Sequence, residues 1–215
     1  MRCLPRSRSR ARAAIAFGVV LLASPSRASA QCTSTETCLR AIEAAQQQTH
    51  TITADFVQVK HVSLLDEPLV SSGRFVFKRP DHIRLEIEQP QPAIVIINGS
   101  DVQIPNLPER DRQALAMAPT TALFTQLGAI FTGSTHALQD GFDVTATQDG
   151  AAIQVKLVPR LASWQRMFRT IELRFAGADL VAEAIRLEDG FGDRLDITLR
   201  NVQRNTDVPD ALFEK

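Results

Sequence analysis

Between Ser72 and Gln89 the chain alternates polar and apolar residues over two consecutive runs, and this pattern limits the fold more than any other feature. The first run, Arg74-Phe75-Val76-Phe77-Lys78, puts both Phe on one face. A turn follows at Pro80-Asp81, and His82-Ile83-Arg84-Leu85-Glu86-Ile87-Glu88 then alternates without a fault. A period of two gives a strand one wet face and one apolar face, the signature of an antiparallel sheet. The same pattern recurs to the end of the chain, so the protein owns a large apolar sheet face. What covers that face decides the function.

The first thirty residues read as a leader rather than as part of the fold. Arg2, Arg6, Arg8, Arg10 and Arg12 precede the apolar run Ala13 to Ala23, and Ala28-Ser29-Ala30 supplies a small-x-small cleavage site. This is the layout of a secretory signal peptide cleaved after Ala30, with an apolar run too short to anchor in a bilayer. Gln31 stands before Cys32 where lipidation would need a small residue, so no lipid attachment is expected. Six of the 24 Lys and Arg lie in the leader and none of the 24 Asp and Glu does, which leaves 18 basic residues against 24 acidic and a net charge of −6. An acidic surface without basic clusters argues against nucleic acid or anionic membrane as a standing partner. Residues 31–215 suit one domain, able to bury about 70% of its unfolded surface. Cys3 leaves with the leader. In an oxidising compartment Cys32 and Cys38 are expected to pair, a short loop stabilising by about 2 kcal/mol; two free thiols are the alternative.

Ser34 to Gln48 reads as a helix capped by Ser34, with Leu39, Ile42 and Ala45 on one stripe. Strand patterns follow at Ile52–Val59, through the alternating hairpin, at Ile94–Ile97 closed by Asn98-Gly99, and at Val102–Ile104. The pattern stops at Pro105 and Pro108. Gln113 to Gln139 contains no Asp, Glu, Lys or Arg; Leu123, Leu127 and Ile130 share a helical stripe there, with Phe124 and Phe131 beside it. Strands resume at Phe142–Ala146, Ile153–Leu157, Thr170–Phe175, Leu180–Leu187 and Leu195–Leu199. About nine or ten strands and two or three helices predict a mainly β (α+β) fold: a curved, partly closed antiparallel barrel with helices across its mouth. Those helices are either a core plug or a removable lid.

Recognisable catalytic chemistry is absent from this pattern. His50, His61, His82 and His136 lack metal-ligand spacing, and neither a nucleophile elbow nor a phosphate loop is present. Glu86 and Glu88 share the polar face of an alternating strand, which favours solvation over a glycosidase pair. No cofactor, metal or enzymatic activity is expected.

Asp55-Phe56-x-Gln58, Ser72-Gly73-x-Phe75, Lys78-Arg79-Pro80-Asp81, Arg84-x-Glu86, Pro90 and Asn98-Gly99, in this order and spacing, resemble the LolA family of periplasmic lipoprotein carriers from about Ala41 to Phe213. The resemblance implies an antiparallel half-barrel with an α-helical lid over an apolar cavity. It also implies a monomeric periplasmic carrier that takes acylated lipoprotein from an inner-membrane ABC complex to an outer-membrane acceptor. The family's latch, a sheet Arg bonded to helix backbone in the closed state, matches Arg79. Cavity candidates are Phe56, Phe75, Phe77, Ile83, Leu85, Ile87, Ile94 and Ile96 from the sheet, and Leu123, Phe124, Leu127, Ile130 and Phe131 from the lid. Leu85, Val102 and Ile104 replace aromatic residues of typical carriers. With Ser63–Leu69 and Gly133 they look more like an accessory LolA-like branch that exports other lipids, including polyene pigments. A lipid-binding sensor and a filled structural barrel are the remaining alternatives.

Overall fold

The alternating runs become the ten strands of one antiparallel sheet. A computed structural model describes residues 32–105, 108–116, 135–165 and 167–214. Its first five strands are β1 (Thr51–His61), β2 (Leu69–Lys78), β3 (His82–Gln89), β4 (Ala93–Asn98) and β5 (Asp101–Gln103). The second five are β6 (Phe142–Asp149), β7 (Ala152–Pro159), β8 (Thr170–Ala176), β9 (Val181–Glu188) and β10 (Arg194–Arg204). The described helices are α1 (Thr35–Gln47), α2 (Glu109–Ala116), α3 (Thr135–Gly141), α4 (Ala162–Gln165) and a terminal 3-10 turn, Asp210–Phe213.

The strand order is β5-β4-β3-β2-β1-β10-β9-β8-β7-β6. Two up-and-down meanders are thus joined where the first strand pairs with the last, and the outer strands β5 and β6 are edges that do not pair with each other. The sheet is curved and unclosed. Residues 104–141 carry the chain from one edge to the other. Bulges at Thr53/Asp55, Ser72/Gly73 and Arg174/Phe175 add local bend and twist. At Gly73 the strands approach so closely that a Cβ would overlap the backbone carbonyl of Glu86.

Alternation separates two apolar layers. On the inner face Phe56, Phe75, Phe77, Ile83 and Leu85 join Val95, Ile97 and the inward residues of β6–β10 in one cluster, which Cys38, Leu39 and Ile42 of α1 cap. On the outer face Val76 and Ile96 meet Val208 and Phe213, with Ile94 and Leu212 beside them. Ile94 and Ile96, expected on the cavity side, therefore lie on the opposite face. Ile94 stands opposite Glu86 and Ile96 opposite Arg84, and directly opposed residues of an antiparallel pair share a face. Val95 and Ile97 hold the inward positions instead.

The outer layer exists because the chain after β10 straps back across β2–β4. Lys78 Nζ donates to the Val208 carbonyl at 2.6 Å and pairs with Asp210 at 2.5 Å. Arg84 Nη1 donates to the Leu212 carbonyl at 2.8 Å and Asn98 Nδ2 to that of Phe213 at 3.1 Å. Arg84 Nε also donates to Glu86 at 2.6 Å, so Glu86 closes an ion pair beneath the strap.

Gly73→Ala is expected to lower stability by about 3 kcal/mol, the upper range for overpacking, because backbone must move to admit the methyl group; chemical denaturation measures it. The Lys78 hydrogen bond holds the Asp210 carboxyl below its ordinary value of 3.8. A carboxylate lowered by folding supports the fold above its unfolded value and ceases to do so as pH falls through the lowered one. Amide exchange of residues 208–213, corrected for intrinsic rate, should accelerate below about pH 4, and Lys78→Met should produce the same loosening at pH 7.

Candidate functional site

The site is built from the inner face and the helix laid against it. At the N-terminus of α1, Thr37 N donates to Ser34 Oγ at 3.3 Å and Ser34 N to Thr37 Oγ1 at 3.0 Å, a reciprocal cap with Thr in the Glu position. A Cys32–Cys38 disulfide ties the chain two residues ahead of the cap to the start of the helix. Ala146 N donates to Thr35 Oγ1 at 3.1 Å and Cys32 N to Gln148 Oε1 at 3.3 Å. These bonds fix the start of the helix on the edge strand β6.

Its other end is held from the sheet. A helix leaves its last carbonyls unpaired and its C-terminus partly negative, and α1 has no basic residue in its last turn. The strands supply the donors. Arg79 Nε donates to the Thr49 carbonyl at 2.6 Å and Nη2 to that of Gln46 at 2.8 Å. Arg204 Nη2 reaches the Ala45 carbonyl at 3.3 Å and Asn205 Nδ2 that of Gln48 at 2.9 Å. Gln46, only 1% exposed, donates its amide to the Leu180 carbonyl at 2.8 Å. A planar guanidinium fork suits two diverging carbonyls as a lysine could not.

Arg79 thus bonds helix backbone, and the helix it grips among the described residues is the N-terminal α1. Of the sheet candidates, Phe56, Phe75, Phe77, Ile83, Leu85 and Ile87 come together on the inner face. Ile94 and Ile96 do not. Leu123, Phe124, Leu127, Ile130 and Phe131 lie outside the described residues. Arg204, Asn205 and Gln46 escaped sequence reasoning. The missing basic last turn of α1 is the signal that could have prompted a search for donors elsewhere. Among the described residues no cluster of metal ligands forms, and no helix is long and apolar enough to cross a membrane.

Residues 47–215 match the family model for "Outer membrane lipoprotein carrier protein LolA". The chain belongs to the LolA family. An outer-membrane lipoprotein carrier protein of Dechloromonas aromatica is 27% identical over 169 residues, 78% of either chain. One of Azotobacter vinelandii is 25% identical over 199 residues, 92% of this chain and 93% of that one. Among solved structures, a LolA superfamily protein from Nitrosomonas europaea is 10% identical with a TM-score of 0.48, covering 86% of this chain and 99% of the other. MucB is 14% identical with a TM-score of 0.49, covering 84% and 62%.

Replacing the fork in this LolA-family chain should loosen one end of α1. Arg79→Leu leaves the Gln46 and Thr49 carbonyls without their charged donor and should cost about 2 kcal/mol. Faster amide exchange across residues 45–51 with unchanged exchange at Thr35–Leu39 would be the local signature. Arg79→Lys should recover only part of the loss.

Proposed function

We propose that this chain is a periplasmic carrier that shields acyl chains against the inner face of its sheet and moves them from the inner to the outer membrane. The observation that carries the reading is the unclosed sheet itself. Its inner face is apolar across both meanders, and its two edges are joined by a segment without charge from Gln113 to Gln139. Membership of the LolA family and the names of the two relatives support the same reading. Cleavage after Ala30 would release residues 31–215 as the working carrier.

The physics of transport sets the roles. Burial of an acyl chain is worth about 0.8 kcal/mol per methylene, so lipidated cargo needs shelter in water. A shelter that only binds would never deliver. In this reading α1, fixed at both ends, is the static wall. The connecting segment, which contributes Leu123, Phe124, Leu127, Ile130 and Phe131, would be the lid. Closing the lid over the empty face offsets part of the cargo's binding energy, and Arg79 biases that balance from the end of α1. An ABC complex of the inner membrane would load the carrier and an outer-membrane acceptor would empty it, with no catalytic step.

A second reading stays within lipid transport. Leu85 and Ile104, each 4% exposed, give the inner wall an aliphatic lining where typical carriers have aromatic residues. That departure matches an accessory LolA-like branch, so an exporter of a non-protein lipid is the alternative.

Native mass spectrometry on protein purified from its own periplasm without detergent decides the cargo. A bound triacylated peptide or lipoprotein is the expected outcome, and a bound polyene or other free lipid would select the accessory role. An empty protein that also fails to quench or enhance a fluorescent fatty acid would refute the carrier reading.

A further inference from the structure

A chemically labile pair stands under the end of the C-terminal strap. Asn98-Gly99 is the only Asn-Gly dipeptide in the chain. It opens the tight turn between β4 and β5, across which Asn98 pairs with Asp101. Gly99 sits at φ +60, a conformation that other residues rarely adopt. The side chain that glycine lacks also leaves the Gly99 nitrogen unhindered, free to attack the neighbouring amide carbon of Asn98. Asparagine is thermolabile through this kind of reaction.

In the folded chain both reacting groups are held. Asn98 Nδ2 donates to the Phe213 carbonyl at 3.1 Å, which leaves Oδ1 to accept from His82 Nδ1 at 2.8 Å. The attacking nitrogen is engaged as well, because Gly99 N donates to the Asp81 carbonyl at 3.1 Å. Phe213 is buried, and its ring centre lies 5.4 Å from that of His82. Ring closure between Asn98 and Gly99 therefore requires both to leave these partners, one of which is the strap itself.

We propose that Asn98 is a deamidation site that the strap holds closed, and that its conversion frees the end of the strap. When the strap opens locally, the Gly99 nitrogen attacks Asn98 Cγ. The new N–C bond closes a cyclic imide, and the side-chain nitrogen departs as ammonia with the Gly99 proton. Water then opens the imide at either carbonyl and leaves Asp or isoaspartate at position 98. One water is consumed, one ammonia is released, and nothing is oxidised or reduced. The product carboxylate has no proton to donate at neutral pH, so its oxygens face the Phe213 carbonyl that Nδ2 had bonded. Two carboxylates adjoin it: Asp101 is its cross-strand partner, and Asp81 lies against Gly99. Opposite on β3, His82 can still donate to it, while Lys78 beyond is already paired with Asp210. An open strap lets Asn98 react, and the product hinders closing.

The test follows the mature chain by peptide mapping and mass spectrometry during incubation in mildly alkaline buffer. A synthetic peptide of residues 94–103 serves as the unfolded reference. Asn98 in the folded chain should deamidate at least about tenfold more slowly than in the peptide, the effect of partners that must be broken first. Phe213→Ala, which loosens the strap, should raise the rate in the folded chain several-fold. His82→Phe, which keeps a ring against Phe213 and removes the Nδ1 donor, should raise it too. Neither should change amide exchange in β8 and β9, which separates local opening from loss of the fold. Asn98→Asp should accelerate amide exchange of residues 208–213. Equal rates in folded chain and peptide, or in wild type and both variants, overturn the proposal. Unchanged exchange of residues 208–213 in Asn98→Asp overturns the release of the strap.

Discussion

A curved sheet that does not close must bury its inner face with something other than its own strands, and the rest of this structure depends on that constraint. A closed barrel satisfies its last strands by pairing them with each other. Here β5 and β6 remain edges on opposite sides, and the inner cluster runs through both meanders. Apolar area left facing water would cost roughly 25 cal/mol per Å², so covers are obligatory. One cover is α1. The chain between the two edges runs from β5 to β6 and carries no charge from Gln113 to Gln139.

The way α1 is held explains why it can serve as a fixed part. Its start is tied by a disulfide, a reciprocal cap and bonds to β6. Its end is tied by four carbonyls accepting from Arg79, Arg204 and Asn205. An isolated helix of this length is marginal in water, and this one has a mostly polar sequence outside Cys38, Leu39 and Ile42. Its stability therefore comes from the sheet at both ends. Arg79 sits at the turn between β2 and β3, so the strands that form the inner wall also hold the helix that faces them. Any rearrangement of that turn changes both.

How much of this could be read in the sequence depended on whether charge set the phase of a strand. His82, Arg84, Glu86 and Glu88 punctuate β3, so Ile83, Leu85 and Ile87 had only one face available, and they take it. Ala93-Ile94-Val95-Ile96-Ile97 has no such punctuation, and a one-residue error of phase moved Ile94 and Ile96 to the wrong side. Both faces of β4 are apolar because Val208 and Phe213 return to cover the outer one, a contact across more than half the chain. Pro108 lies beyond the end of the strand pattern, as expected, and a proline next to a helix start is favourable; α2 begins at Glu109. The partners of Arg79 were illegible for the same reason as the strap: a guanidinium in a turn looks exposed until the fold brings carbonyls to it.

The two apolar layers do different work because their neighbours differ. On the outer face the strap over Ile94, Ile96 and Val76 is held by donors from Lys78, Arg84 and Asn98 that bind its backbone carbonyls. Opening that layer would exchange these hydrogen bonds for bonds to water, adding about 1 kcal/mol for each to the cost of exposing the apolar area. The inner face of β2–β4 is lined instead by the apolar side chains of Phe75, Phe77, Ile83, Leu85, Val95 and Ile97. Exchange of one apolar cover for another across that surface breaks no hydrogen bond within the wall. The outer layer is therefore locked by polar partners, whereas what lies against the inner side chains is held by apolar burial.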